Sequence, residues 1–108
     1  MHVISLRHLK DASEQYPDAA REIQAWYKIV KDARWRNFEE LRRTFARASS
    51  VGKYVIFNIR HNEYRLLTII HYCRLIEGRI TNGPVYIRSF LTHKEYDDKK
   101  NWDRGVRK

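Results

Sequence analysis

The sequence predicts an α+β domain in which an N-terminal strand and two to three helices pack on one face of a mainly antiparallel, twisted sheet. Three observations lead there. In the first half of the chain Ile23, Trp26, Tyr27 and Val30 recur at i, i+3, i+4 and i+7, the spacing of a buried helical stripe. Past residue 53 the period changes, and "YVIFNI", "YRLLTIIHY" and "VYIRSFL" are β-branched and aromatic runs. Between the first two lies "RHNE", a hairpin signal. Helices segregated from such a sheet cover one of its faces. The other face can stay open, and there a basic protein would meet a nucleic-acid backbone.

Taken in order, "HVISL" reads as a short strand. Leu9, Ala12 and Tyr16 then stripe a helix that ends near Pro17. Pro17 and Asp18 suit the first turn of a second helix, the proline because its missing N–H costs nothing there, the acid because of the helix dipole. Asn37 and Glu40 have the spacing of a capping box, and Phe38, Leu41 and Phe45 stripe a third, short helix. "ARASSVGK" reads as a loop, and "RLIEGRITNGP", with two glycines and a proline, as a long turn. After the last strand, Thr92 and Glu95 form a second T-x-x-E capping box that opens a final helix. The closing "KKNWDRGVRK" is charged and is expected to fray.

Composition narrows the function. A chain of 108 residues with 43% hydrophobic residues suffices for one compact core, and no stretch approaches the roughly 18 consecutive apolar residues of a membrane span. No signal-peptide region and a lone cysteine, Cys73, point to a cytoplasmic protein without disulfides or a cysteine-based zinc cluster. Twenty-two Lys and Arg against 13 Asp and Glu leave a formal charge of +9. Small basic domains of this kind meet nucleic acid, anionic membranes or acidic proteins, and the arginine-rich balance favours phosphate. No P-loop or G-x-G-x-x-G is present, which argues against nucleotide hydrolysis. Acidic residues are scattered without histidines at ligand spacing, so no metal or other cofactor is expected.

Several residues stand out for chemistry. Arg65 and Arg88 interrupt apolar strand runs; on neighbouring strands, two guanidiniums facing the same side can bracket a phosphate, or each can make a surface salt bridge. Arginine is always protonated, so its role would be binding or charge stabilisation. His93 would lie in the first turn of the last helix with Tyr96 on the same face, where free N–H groups favour an anion. His93 is the candidate acid or base, since histidine titrates near neutrality. Tyr96 can orient a hydroxyl or stack on a base. Lys53, Arg60, His61 and Lys94 can extend an RNA-binding groove, or be ordinary solvated charges. His71 reads as a core or edge residue, His2 and His8 as incidental. Trp26, Trp35 and Tyr27 read as core or interface.

Three segments, "AWYKIVKDARWRNFEELRRTF", "VIFNIRHNEYRLLTIIHY" and "VYIRSFLTHKEYD", resemble the signature segments of HigB-type toxins, members of the RelE-like group of bacterial toxin–antitoxin systems. The similarity spans nearly the whole chain to Trp102, so residues 1–102 are expected to be a single RelE-like domain followed by a charged tail over 103–108. The resemblance implies an endoribonuclease that cleaves translated messenger RNA on the ribosome. It further implies attack by the 2′-hydroxyl without a metal, leaving a 2′,3′-cyclic phosphate and a 5′-hydroxyl. A cognate helix-turn-helix antitoxin is implied as partner, with operator DNA contacted only through it. Arg65 matches the arginine after the hairpin turn, and His93 and Tyr96 fall where C-terminal catalytic residues lie. One departure is the "RLIEGRITNGP" connection, longer than the group's short turn. Two rivals remain at this level: a non-catalytic RNA- or ribosome-binding module, and a DNA-binding repressor, against which the lack of a helix-turn-helix counts.

Overall fold

The computed structural model describes residues 1–102; the tail expected over 103–108 lies outside the described residues. Strand β1 (His2–Ile4) leads into helix α1 (Leu6–Gln15), which stops where Tyr16 precedes a proline and leaves the helical region. Pro17 opens one 3₁₀ turn, and helix α2 (Ala20–Asp32) follows directly. Helix α3 (Phe38–Thr44) comes next. Strands β2 (Ser49–Val51), β3 (Tyr54–Ile59), β4 (Tyr64–Ile70), β5 (Leu75–Ile76), β6 (Arg79–Ile80) and β7 (Pro84–Thr92) then run to helix α4 (His93–Tyr96).

Five strands form one sheet in the order β1-β7-β4-β3-β2, antiparallel except for the β1–β7 pair. The α+β expectation holds, with two refinements. Strand β2 lies inside the segment read as a loop: Ser49–Val51 pairs with Tyr54–Ile56 as the outer strand. Such a short polar edge strand carries no period-2 signal. The long turn "RLIEGRITNGP" contains a separate two-stranded hairpin, β5–β6.

The helix-facing side of the sheet buries Phe57, Leu66, Val85 and Ile87 against Ile23, Trp26 and Val30 of α2. Trp26 and Phe45 meet the Phe57 ring edge-on, at centroid distances of 5.3 and 5.0 Å. Trp35 is buried and Tyr27 half-buried, in keeping with their reading as core residues. On the same side Tyr64 donates its hydroxyl hydrogen to Asp18 (3.0 Å); burial, and then this bond, raise the phenol's pKa above its ordinary value.

The opposite face departs from expectation. Instead of lying open, its centre is closed by a second apolar cluster of Ile56, Leu67, Leu91 and Trp102, flanked by Val51, Tyr54 and Tyr96. Trp102 comes from the segment expected to fray. A 3₁₀ turn over Lys99–Asn101 brings it back onto the sheet, where Ser89 donates its hydroxyl hydrogen to the Trp102 carbonyl at 2.6 Å. The large apolar ring outweighs the charged neighbours that made the segment look solvated.

Removing that ring should be costly. Trp102→Ala is expected to destabilise the fold by about 3–5 kcal/mol, the usual range for deleting a buried aromatic, with Trp102→Phe losing less. Urea unfolding followed by circular dichroism measures it, and an unshifted midpoint in Trp102→Ala would contradict the packing described.

Candidate active site

The capping box at the start of α4 is present in full. Glu95 N–H donates to Thr92 Oγ1 at 3.2 Å, and Thr92 N–H donates to the Glu95 carboxylate at 3.0 Å. The adjacent His93 N–H donates to the Glu63 carbonyl at 2.9 Å. Two first-turn donors expected to face an anion are therefore already engaged. In a helix of four residues the side chains, not the terminus, carry the chemistry.

Those side chains meet Arg65. Pairing of β4 with β7 sets Arg65 opposite Leu91, two residues before His93. From Nη1 the guanidinium donates to the Asn62 carbonyl at 2.7 Å, and Nη2 lies 3.4 Å from His93 Nδ1. Its carbon sits 5.1 Å from the centre of the Tyr96 ring. Arginine only donates, so a hydrogen bond here requires Nδ1 to accept, with the ring hydrogen on Nε2. Nε2 faces the Asp97 carboxylate at 3.9 Å. The β3–β4 turn aims two of its carbonyls, those of Asn62 and Glu63, at this cluster. Arg60 and His61 in that turn adopt left-handed backbone, with φ of 52° and 59°.

Tyr96 is held from behind. Its ring stacks on Trp102 at 4.9 Å and 10° between planes, and the Trp102 indole N–H donates to the Tyr96 carbonyl at 2.8 Å. Tyr54 meets Trp102 edge-on at 5.3 Å, and Lys53 lies 5.4 Å from the Tyr54 ring. A continuous row thus runs from Lys53 through Tyr54, Trp102 and Tyr96 to Arg65. Lys99 adds a second cation 5.6 Å from the Trp102 ring.

The remaining expected residues are spread more widely. Arg60 pairs with carboxylates, Asp18 at 2.8 Å and Glu63 at 3.6 Å. His61 and Lys94 are exposed at the rim of the cluster. Arg88 occupies a different recess. It is the extra residue of a bulge, since Leu67 pairs with Ser89 and Thr68 with Ile87. From there it lines a cleft of about 330 Å³ between α1 and β7, together with His8, Asp11 and Gln15. His71 follows the end of β4 and is exposed, its ring edge-on to Tyr86 at 5.5 Å. Asn62, Asp97, Tyr54 and Trp102 were missed as site residues. Asp97 alone left a signal, its i+4 spacing from His93. Among the described residues no group of His, Cys, Asp and Glu side chains gathers as a metal site would require, and no helix is long and apolar enough to cross a membrane.

Fold and cluster together define a small basic α+β domain with an arginine, a histidine and a tyrosine assembled at one end of its central strands. Residues 19–99 match the HigB toxin family, described as the RelE-like toxic component of a toxin–antitoxin system. The chain is 30% identical over 100 residues to the mRNA interferase toxin HigB of Escherichia coli strain K12, covering 90% of this chain and 88% of that protein. The mRNA interferase HigB of Shigella flexneri matches equally, and one from Escherichia coli O6:H1 is 22% identical over 100 residues. The chain therefore belongs to the HigB family of RelE-like toxins.

The tautomer is directly testable. Nitrogen-15 NMR correlation of the His93 ring at a pH where it is neutral should show the hydrogen on Nε2. A hydrogen on Nδ1 would exclude the bond to Arg65.

Proposed function

We propose that this chain is an endoribonuclease, the toxin of a toxin–antitoxin pair, that cleaves messenger RNA during translation by 2′-hydroxyl attack without a metal. The observation that carries the reading is the state of Arg65. Its contacts are a carbonyl, a ring nitrogen and an aromatic face, with no carboxylate among them in the described residues, so its positive charge stays available to a phosphate. Arg36 and Arg60, by contrast, are spent on carboxylates. Family membership and the names of the relatives point the same way.

In this reading Nη1 stays on the Asn62 carbonyl and fixes the guanidinium, while Nη2 turns from His93 to a non-bridging oxygen of the scissile phosphate. That movement frees His93 Nδ1. The freed nitrogen takes the proton of the 2′-hydroxyl, the 2′-oxygen bonds to phosphorus, and the bond to the 5′-oxygen breaks. The proton held by the imidazolium passes to the departing 5′-oxygen, leaving a 2′,3′-cyclic phosphate and a 5′-hydroxyl. Arg65 stabilises the charge that builds on the phosphorane oxygens. Tyr96 positions the nucleotide, and Lys53, Lys94 and His61 hold the flanking backbone. Arg88 contributes binding charge from the neighbouring cleft. Ribosomal and messenger RNA would be attracted in a salt-dependent manner, and a cognate antitoxin would neutralise the activity.

The test is induction in a bacterial host with messenger RNA 5′ ends mapped. Wild type should arrest growth and generate new ends inside translated frames. His93→Ala should cut the cleavage rate by about 10²–10⁴-fold, the usual contribution of a general acid or base. Arg65→Ala should lose about 10²–10³-fold, as for removal of one preorganised charge-stabilising donor. Arrest without new 5′ ends would instead make the chain a non-catalytic binding inhibitor.

A further inference from the structure

The β5–β6 hairpin plays no part in the mechanism above, yet it is where apolar surface is most conspicuously left in water. Leu75, Ile76 and Ile80 are 60%, 50% and 44% exposed, three of the five exposed large hydrophobic residues among the described ones. Scattered singly such residues mean little; gathered within six positions they mark an interaction surface. The hairpin is well defined. Glu77 and Gly78 both have positive φ, 51° and 79°, as a two-residue type I′ turn requires. At its base Thr81 N–H donates to the Arg74 carbonyl at 2.7 Å, and Arg74 N–H to Thr81 Oγ1 at 2.9 Å.

Pairing shows what the hairpin presents. Leu75 stands opposite Ile80 and Ile76 opposite Arg79, so apolar side chains emerge on both faces. A ribbon apolar on both faces cannot be buried by lying flat on its own domain; it is shaped to enter a groove. Two-stranded ribbons are also marginal alone in water, so an occupant would stabilise this one. Its surroundings are cationic. Arg74 and Arg79 have no carboxylate partner among the described residues, and Arg34 meets only Asn82, at 3.4 Å, against the single acid Glu77. A complementary surface is therefore an apolar groove rimmed by carboxylates.

We propose that the β5–β6 hairpin is the docking element for the antitoxin, inserting Leu75, Ile76 and Ile80 into an acid-rimmed apolar groove. The identity of the partner rests on the toxin–antitoxin reading; the surface does not. The hairpin leaves β4 at the end away from Arg65 and enters β7 at the end away from His93. At about 3.3 Å per residue, the two regions are separated by nearly the length of the strands. Hairpin variants therefore probe docking without touching the candidate active site.

The experiment co-expresses this chain with the product of the reading frame adjacent to its gene and measures the complex by calorimetry and hydrogen exchange. Leu75→Ser with Ile80→Ser should weaken the complex about tenfold or more, as loss of central apolar anchors does, without lowering the melting temperature. Arg74→Glu with Arg79→Glu should weaken it too. Amides of residues 75–80 should gain protection on binding, and both double variants should still arrest growth yet escape neutralisation. If wild type forms no complex with that protein, the assigned partner and the proposal fall together. If the complex forms equally well with both double variants, the hairpin assignment alone is overturned. Loss of self-association by the chain alone, or loss of toxicity with antitoxin binding intact, would overturn it in favour of a second copy or the ribosome.

Discussion

The antiparallel ladder between β4 and β7 determines where nearly everything else lies, because its side chains are buried from both sides. Leu66 faces the helices and Leu67 faces the Trp102 cluster, and both are fully buried. A slip of one residue would exchange these faces and expose both sets. With that register held, Arg65 must fall beside His93, and the chain leaving Ile70 must travel through residues 71–83 before pairing again at Pro84. One ladder thus places the candidate reacting groups at one end of the sheet and the exposed hairpin at the other.

Charge is sorted locally within that frame. The chain has a large positive excess, but its arginines are not equivalent. Arg36 and Arg60 are held by carboxylates and serve the fold. Arg65 is held by groups that fix its orientation without cancelling its charge. Such an arrangement keeps a guanidinium both ordered and receptive, whereas a carboxylate partner would have to be displaced before a phosphate could bind. The aromatic row behind it extends the effect: Trp102 backs Tyr96, and Tyr96 carries Arg65. The last described residue of the chain thereby supports the cluster from the same face of the sheet, the one turned away from the helices.

The left-handed residues of the β3–β4 turn belong to the same design. Arg60 and His61 accept an unfavourable backbone region, and in return the turn delivers its Asn62 and Glu63 carbonyls to the Arg65 guanidinium and the His93 amide. The Arg60 pair with Asp18 ties this turn to the 3₁₀ turn that leads into α2, linking the helical layer to the cluster.

Sequence alone determined what depends on neighbours a few positions away. The helical stripe of Ile23, Trp26 and Val30, the "RHNE" turn and the Thr92–Glu95 cap all express local geometry, and so do the strand periods on either side of Arg65. The Asn37–Glu40 cap shows where that reasoning thins: Asn37 does accept from Glu40 N–H, but the Glu40 carboxylate turns to Arg36. Only the tertiary structure decided the matters that join distant segments. Trp102 could be placed on Tyr96 only once the sheet existed to receive it. The bulge that sends Arg88 to the α1–β7 cleft arises from pairing between two strands, not from either strand's own pattern. The exposure of Leu75, Ile76 and Ile80 likewise follows from what the rest of the chain leaves uncovered. Local propensity acts through bonded neighbours and short spacings, whereas burial and side-chain partnership are properties of the assembled surface.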